Sequence, residues 1–281
     1  MEKEGLDRSP IGAGRKIWPR VGIVRAASAL ASILLVGIGG PAFAQDAVCH
    51  ASKPTFSSPV KLEGVALRLR RHEPVRILAI GSSSTEGIGA SSPAFSYPAQ
   101  LQADLIQAWN GTVTVENAGK GGETITETIG RLEAALKASK PDLVIWQVGT
   151  NDAVKGGDEA GFSALLQQGI DAAQVLGVEV ILVDQQYYPA IKDLGRYERF
   201  VSLVGATAAA EQVPVFSRYK LMKAWSERSS DILGSMLSGD GFHMGDRGYD
   251  CLAQLIADGL HYPMAVSEIA PGMAVTVAAQ P

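Results

Sequence analysis

From Val75 onward the chain alternates short apolar runs with longer segments in which apolar residues recur every three or four positions. The runs are Val75 to Ile80, Val113 to Val115, Leu143 to Val148 and Val178 to Val183. A weaker fifth lies at Val213 to Phe216, where Pro214 suits a sheet edge or a strand start. Runs that are apolar throughout predict strands buried on both faces. Between them, Ile125, Ile129, Leu132 and Leu136 line one side of a helix, as do Phe162, Leu165, Leu166, Ile170 and Ala173. Helices are also predicted over Pro98 to Trp109, over Tyr197 to Ala210, and over Asp246 to Leu260, the last burying Tyr249, Leu252, Leu255 and Ile256. Strand and helix in this alternation predict an α/β fold: a three-layer α/β/α sandwich around a central, mostly parallel five-stranded sheet, in a domain over residues 73–263.

The flanks differ in pattern. Arg15, Lys16, Arg20 and Arg25 precede an uncharged stretch from Ala26 to Ala44 that closes in Ala42-Phe43-Ala44, the layout of a secretory signal peptide over residues 1–44, cleaved after Ala44. A membrane anchor is the competing reading, because the uncharged stretch approaches spanning length, but Gly39-Gly40-Pro41 interrupts it. The expected product is secreted or periplasmic, with no stable membrane insertion after cleavage. Residues 45–72, with Pro54, Pro59 and a basic cluster of Arg68, Arg70 and Arg71, read as an irregular N-terminal extension. Residues 264–281 read as a C-terminal tail rich in small residues.

Charge and cysteine content narrow the partners. The formal charge of −4 becomes more negative once residues 1–44, with six basic and three acidic side chains, are removed, and an acidic chain is a poor nucleic-acid binder. Export would allow Cys49 and Cys251 to pair; two separate buried thiols are the other reading. No zinc-ligand spacing appears, and neither metal nor organic cofactor is implied.

Ligands of open parallel sheets bind outside the carboxyl ends of the strands. Here the first three strands end in polar or glycine-rich turns: Gly81-Ser82-Ser83-Ser84-Thr85-Glu86-Gly87, Asn117-Ala118-Gly119-Lys120-Gly121-Gly122, and Gly149-Thr150-Asn151-Asp152. Acyl transfer needs a nucleophilic hydroxyl, a base, a carboxylate to orient the base, and donors for the oxyanion. The first turn offers hydroxyls, the second bare backbone N–H groups, and Asn151 a side-chain amide. Of the four histidines, His50, His72 and His261 lie outside the predicted core. His243 follows Asp240 by three residues on a loop that opens a helix, so one loop can hold both imidazole and carboxylate.

The four separated segments resemble the SGNH subgroup of the GDSL-type esterases and lipases, over nearly all of residues 75 to 260. The first block of that family fits in one register only, with Gly81 two before the nucleophile, Thr85 two after it and Gly87 four after it. The resemblance therefore implies that Ser83 is the nucleophile. Asn117, Gly119 and Gly122 match the second block, Gly149 to Asp152 the third, and Asp240, His243, Gly248 and Tyr249 the last. The resemblance implies a flavodoxin-like SGNH-hydrolase fold, a Ser83-His243-Asp240 triad, and an oxyanion hole of the Ser83 and Gly122 backbone N–H groups with the Asn151 amide. Ser82 stands where the family usually has Asp, which changes how the nucleophile loop is hydrogen-bonded. Ser82 and Ser84 read as turn-forming hydroxyls and Asp152 as a helix cap or loop support. The implied function is a secreted serine esterase acting on a small-molecule, glycan or lipid ester, either carbohydrate O-acetyl or short acyl and lipid esters. The alternative is a non-catalytic exported carbohydrate-binding protein on the same fold.

Overall fold

The computed structural model describes Cys49 and residues 55–268. The expected signal peptide, its cleavage site and most of the C-terminal tail lie outside these residues. In chain order the elements are α1 (Glu63–Arg70), β1 (Val75–Gly81), α2 (Ser83–Glu86), α3 (Tyr97–Trp109), β2 (Val113–Gly119), α4 (Ile125–Ser139), β3 (Leu143–Gln147), α5 (Thr150–Lys155), α6 (Glu159–Val175), β4 (Glu179–Val183), α7 (Leu194–Ala210), β5 (Val215–Phe216), α8 (Arg218–Arg228), α9 (Ser230–Met236) and α10 (Asp246–Glu268).

The five strands form one parallel sheet in the order β2-β1-β3-β4-β5. Successive side chains of a strand point to opposite faces, so each strand supplies both cores. Ile77, Ala79, Leu143, Ile145, Ile181 and Val183 face a layer that includes α3 and α10, with Leu101, Leu105, Leu252 and Ile256. Leu78, Ile80, Val144, Trp146, Val180 and Leu182 face α4, α6 and α7, with Leu132, Leu166, Ile170 and Phe200. The Trp146 indole reaches against α6 where Gly169 has no side chain; a Cβ there would overlap the ring.

The edges show what the apolar pattern missed. β2 runs on to Gly119, pairing Asn117 with Ala79 and Gly119 with Gly81. As an edge strand it tolerates the polar residues that cut its apolar run short. β5 is two residues long and follows Pro214, and its outer side is covered by the N-terminal segment: Phe56 bridges Phe216 antiparallel and Ser57 N–H donates to Val215 O at 2.8 Å. Covering an edge in this way blocks further strand addition.

The segment read as an irregular extension contains α1, which buries Val65 and Ala66. Its first N–H groups have no local cap. Glu179, at the start of β4, accepts from Gly64 N–H at 3.1 Å and Val65 N–H at 3.0 Å, a cap 114 or more residues away in sequence. Cys49 is bonded to Cys251 on α10, with their Cα atoms 5.1 Å apart. Among the described residues no helix is long and apolar enough to cross a membrane.

Candidate active site

Strand β1 delivers Ser83 to the first turn of α2, the short helix that begins where the strand stops. Its neighbours are fixed by β3 and by the segment after β4. Ser82 N–H and Ser82 Oγ both donate to Gln147 Oε1 at 3.0 Å, and Gln147 is the last residue of β3. Ser84 Oγ donates to Gln186 Oε1 at 3.0 Å, while Gln186 Nε2 donates to the Phe242 carbonyl at 3.0 Å. Ser82 and Ser84 thus reach across to other elements and do more than shape a turn. All four of these anchoring groups are buried, whereas Ser83 between them is only partly covered.

The loop that carries Asp240 and His243 is nearly self-contained. Asp240 Oδ1 accepts from the N–H groups of Phe242 and His243 at 2.9 Å and from Ser238 Oγ at 2.7 Å. Asp240 Oδ2 lies 2.6 Å from His243 Nδ1, and His243 Nε2 lies 3.0 Å from Ser83 Oγ. Burial pushes the Asp240 carboxyl up, but the hydrogen bonds from His243, Phe242 and Ser238 outweigh it and hold the group well below the usual carboxylate range. An ionised Asp240 places the ring proton on Nδ1 and leaves Nε2 free to accept from Ser83. The ring also packs edge-on against Phe242, which meets Tyr188 edge-to-face in turn.

Two contacts seat this loop beside Ser83. Tyr249 Oη donates to Ile88 O at 2.6 Å, and Asp246 accepts from Ser91 N–H and Ser91 Oγ at 2.7 and 2.6 Å. Gly89, at φ +96°, lies so close to Met244 O that any side chain would collide.

The second and third turns meet on the other side of Ser83. Lys120 N–H donates to Gly81 O at 3.0 Å and Gly121 N–H to Glu86 Oε2 at 2.7 Å, which holds the glycine turn against α2. Gly119 is packed so tightly on the Thr85–Glu86 backbone that no Cβ fits. Asn151 Nδ2 donates to Glu123 O at 2.8 Å, which uses one amide hydrogen and leaves the second. Lys155 Nζ donates to Gly122 O at 2.6 Å. Asp152 Oδ1 accepts from Ile125 N–H at 3.0 Å, so it caps α4 from α5. Burial pushes its carboxyl up, and that hydrogen bond works against the shift.

Three groups absent from the sequence reading complete the frame: Gln147, Gln186 and Arg131. Arg131 on α4 donates to Ala118 O at 2.8 Å and Gly81 O at 3.3 Å, tying together the carboxyl ends of β2 and β1. Its guanidinium is paired with Glu123 at 2.5 Å, and Glu123 also meets Lys120 at 3.3 Å. A lone Arg or Gln in a strand or helix carries no local signal for such a role. Only Gln147 offered a clue, as a polar residue inside the apolar run from Leu143 to Val148. Among the described residues no group of three or more His, Cys, Asp or Glu side chains converges as metal ligands.

The non-GDSL lipase-like family matches residues 48–263. Esterase TesA of Pseudomonas aeruginosa is 29% identical over 168 residues, which is 59% of this chain and 78% of that protein. Among solved structures, the lipase/acylhydrolase from Enterococcus faecalis is 27% identical with a TM-score of 0.58, covering 67% of this chain and 96% of that one. A two-domain esterase active on acetylated mannans shares the fold, with a TM-score of 0.59 at 23% identity, and this chain spans 53% of its length. With its parallel sheet and four turns, the chain belongs to the non-GDSL lipase-like family and is a carboxylic ester hydrolase of the SGNH/GDSL type.

Proposed function

We propose that the protein is an exported serine esterase that works through an acyl-enzyme on Ser83. His243 Nε2 takes the Ser83 proton as Oγ bonds to the ester carbonyl carbon, and the carbonyl π-electrons move onto oxygen. The tetrahedral oxyanion is held by the Ser83 and Gly122 backbone N–H groups and by the second Asn151 amide hydrogen. His243 then passes its proton to the leaving alcohol as the C–O bond breaks. Water, deprotonated by the same imidazole, releases the acid and restores Ser83. Asp240 keeps the ring oriented and stabilises the imidazolium.

The observation that carries this reading is the continuous contact from Asp240 through His243 to Ser83, at 2.6 and 3.0 Å. A binding protein that had abandoned turnover would have no need to keep all three in register. The Cys49–Cys251 disulfide supports export, because such bonds persist in oxidising compartments. We assign the substrate to carbohydrate O-acetyl esters or to short acyl and lipid esters. The Phe242–Tyr188 pair beside the imidazole gives an apolar wall for either an acyl group or a sugar face.

A fluorophosphonate probe tests the nucleophile: it should label the wild type and leave Ser83→Ala unlabelled. Labelling that persists in Ser83→Ala would sink the assignment. Hydrolysis across a series of acyl chain lengths, with acetate release from acetylated glycans, then separates the two substrate classes. Intact mass of the exported protein should correspond to a chain beginning at Gln45.

A further inference from the structure

A cavity of about 650 Å³ opens at the amino ends of the strands, far from Ser83. Its wall takes in Arg76 near the start of β1, Asp142 just before β3 and Val178 just before β4. Seven residues of β1 separate this end from the nucleophile turn, roughly 20 Å at the rise of an extended strand. A group held here does not react at Ser83, so the cavity is a second site and not part of the first.

Its chemistry has two halves. Five cationic side chains line it, and two of them are already engaged: Arg68 pairs with Asp142 at 2.6 Å and Glu73 at 3.0 Å, and Arg76 faces Asp142 at 3.8 Å. Arg71, Lys137 and Lys140 also line it, are exposed, and have no carboxylate partner among the described residues. Cations gather at helix C-termini in any case, and α1 and α4 both end here, so charge alone is not an argument for a ligand. The independent observation is the apolar wall beside them. Leu67 and Leu176 line the cavity at 40% and 53% exposure, and Val175, next to Leu176, is 85% exposed. A net acidic chain has thus placed three cations without a carboxylate partner among the described residues next to two exposed leucines of the cavity wall, with the still more exposed Val175 at its margin. Such a juxtaposition suits a ligand that is itself both anionic and apolar.

We propose that this cavity binds an acidic amphiphile, with a phosphate or carboxylate head among Arg71, Lys137 and Lys140 and its chain along Leu67 and Leu176. Neither a simple anion nor a neutral detergent satisfies both halves. Because the site lies at the far end of the sheet, an occupant leaves Ser83 open to substrate.

The test uses the full exported protein with Ser83 first blocked by a phosphonate, so that binding at the ester site does not contribute. Calorimetric titration with octyl phosphate below its micellar range is compared with inorganic phosphate and with octyl glucoside. Co-sedimentation is measured with vesicles of ether-linked phosphatidylglycerol and of phosphatidylcholine. Octyl phosphate should bind one to one, at least about tenfold tighter than either half-ligand. The combined Arg71→Gln, Lys137→Gln and Lys140→Gln variant should lose on the order of a hundredfold. Leu67→Ser with Leu176→Ser should weaken octyl phosphate while leaving inorganic phosphate unchanged. Ester hydrolysis by these unblocked surface variants should equal wild type, which shows that they fold. Binding of octyl phosphate alone identifies a soluble amphiphile, and binding of the anionic vesicles identifies a bilayer lipid; either supports the site. If neither binds above its control, if the charge variant binds as wild type does, or if inorganic phosphate binds as tightly as octyl phosphate, the proposal is overturned.

Discussion

Ser83 is held in place by groups that come from β3 and from the segment after β4, whereas Asp240 and His243 are held mainly by their own loop. Around Ser83, Ser82 and Ser84 are clamped by Gln147 and Gln186, 65 and 102 residues away in sequence. On the base side, Asp240 draws its acceptor contacts from Ser238, Phe242 and His243 within three residues. The first arrangement is buried and the second half-exposed, with the Asp240 side chain 45% accessible. A nucleophile that must meet a carbonyl carbon and an imidazole at once needs a fixed floor. A carboxylate that only orients a ring can be fixed by a short loop of N–H donors.

The largest expected effect belongs to Ser83, the proposed nucleophile. Ser83→Ala should lower kcat by about 10⁴-fold or more, while Ser82→Ala and Ser84→Ala stay within about tenfold of wild type. An inactive Ser82→Ala beside an active Ser83→Ala would shift the register by one residue. Asp240→Asn comes next, with a loss of roughly 10³- to 10⁴-fold in kcat and little change in KM, because the ring loses both its tautomer and its counter-charge. Since the hydrogen bonds that hold Asp240 ionised are local, circular dichroism of this variant should match wild type. A fully active Asp240→Asn would remove it from the triad.

Gln147→Ala tests the floor directly. It leaves the buried Ser82 N–H and hydroxyl without their acceptor, so it should cost about 1–3 kcal/mol of stability as well as a tenfold or larger fall in kcat. Loss of stability without loss of kcat would mean that Ser83 is positioned by something other than this clamp.

The smallest effect serves as a control away from both regions. Asp104 lies on α3, and burial together with the nearby charges of Asp250 and Asp258 on α10 pushes its carboxyl up to about 6. A raised carboxyl favours the fold while protonated; that contribution is complete below its unfolded value and is lost as pH rises through about 6. Asp104→Asn should therefore raise Tm by a few degrees at pH 7, on the order of 1 kcal/mol after allowance for solvent around the half-covered group, and leave it unchanged at pH 4. Turnover should not change. A shift in kcat would show that the seam between α3 and α10 reaches the base loop.

The same contrast explains what was legible in the sequence. Fully buried parallel strands and amphipathic helices announce themselves by period, so β1, β3, β4, α3 and α7 were placed within a few residues, whereas α10 runs to Glu268, eight residues beyond the expected Leu260. The base loop was legible because its parts are three residues apart. Its contact with Ser83, 160 residues away, was expected from the family resemblance, and the structure brings the two groups together. What stayed hidden depends on distant partners. The clamp by Gln147 and Gln186, the strap of Arg131 and the cap that Glu179 gives α1 leave no local periodic trace. β2 looked shorter than it is because an edge strand does not need apolar residues on both faces.

The bond between Cys49 and Cys251 spans 202 positions, from ahead of α1 to within α10, and so closes a covalent ring that contains every strand and all four turns. Cutting a ring once opens it without dividing it. A protease that nicks any loop between these residues leaves both pieces attached, able to stay packed through the sheet. Nicked protein should therefore migrate as one species on a denaturing gel run without reductant and as two once thiol is added. A single cleavage is then an injury that the fold can survive, which would matter most if the chain is exported as proposed.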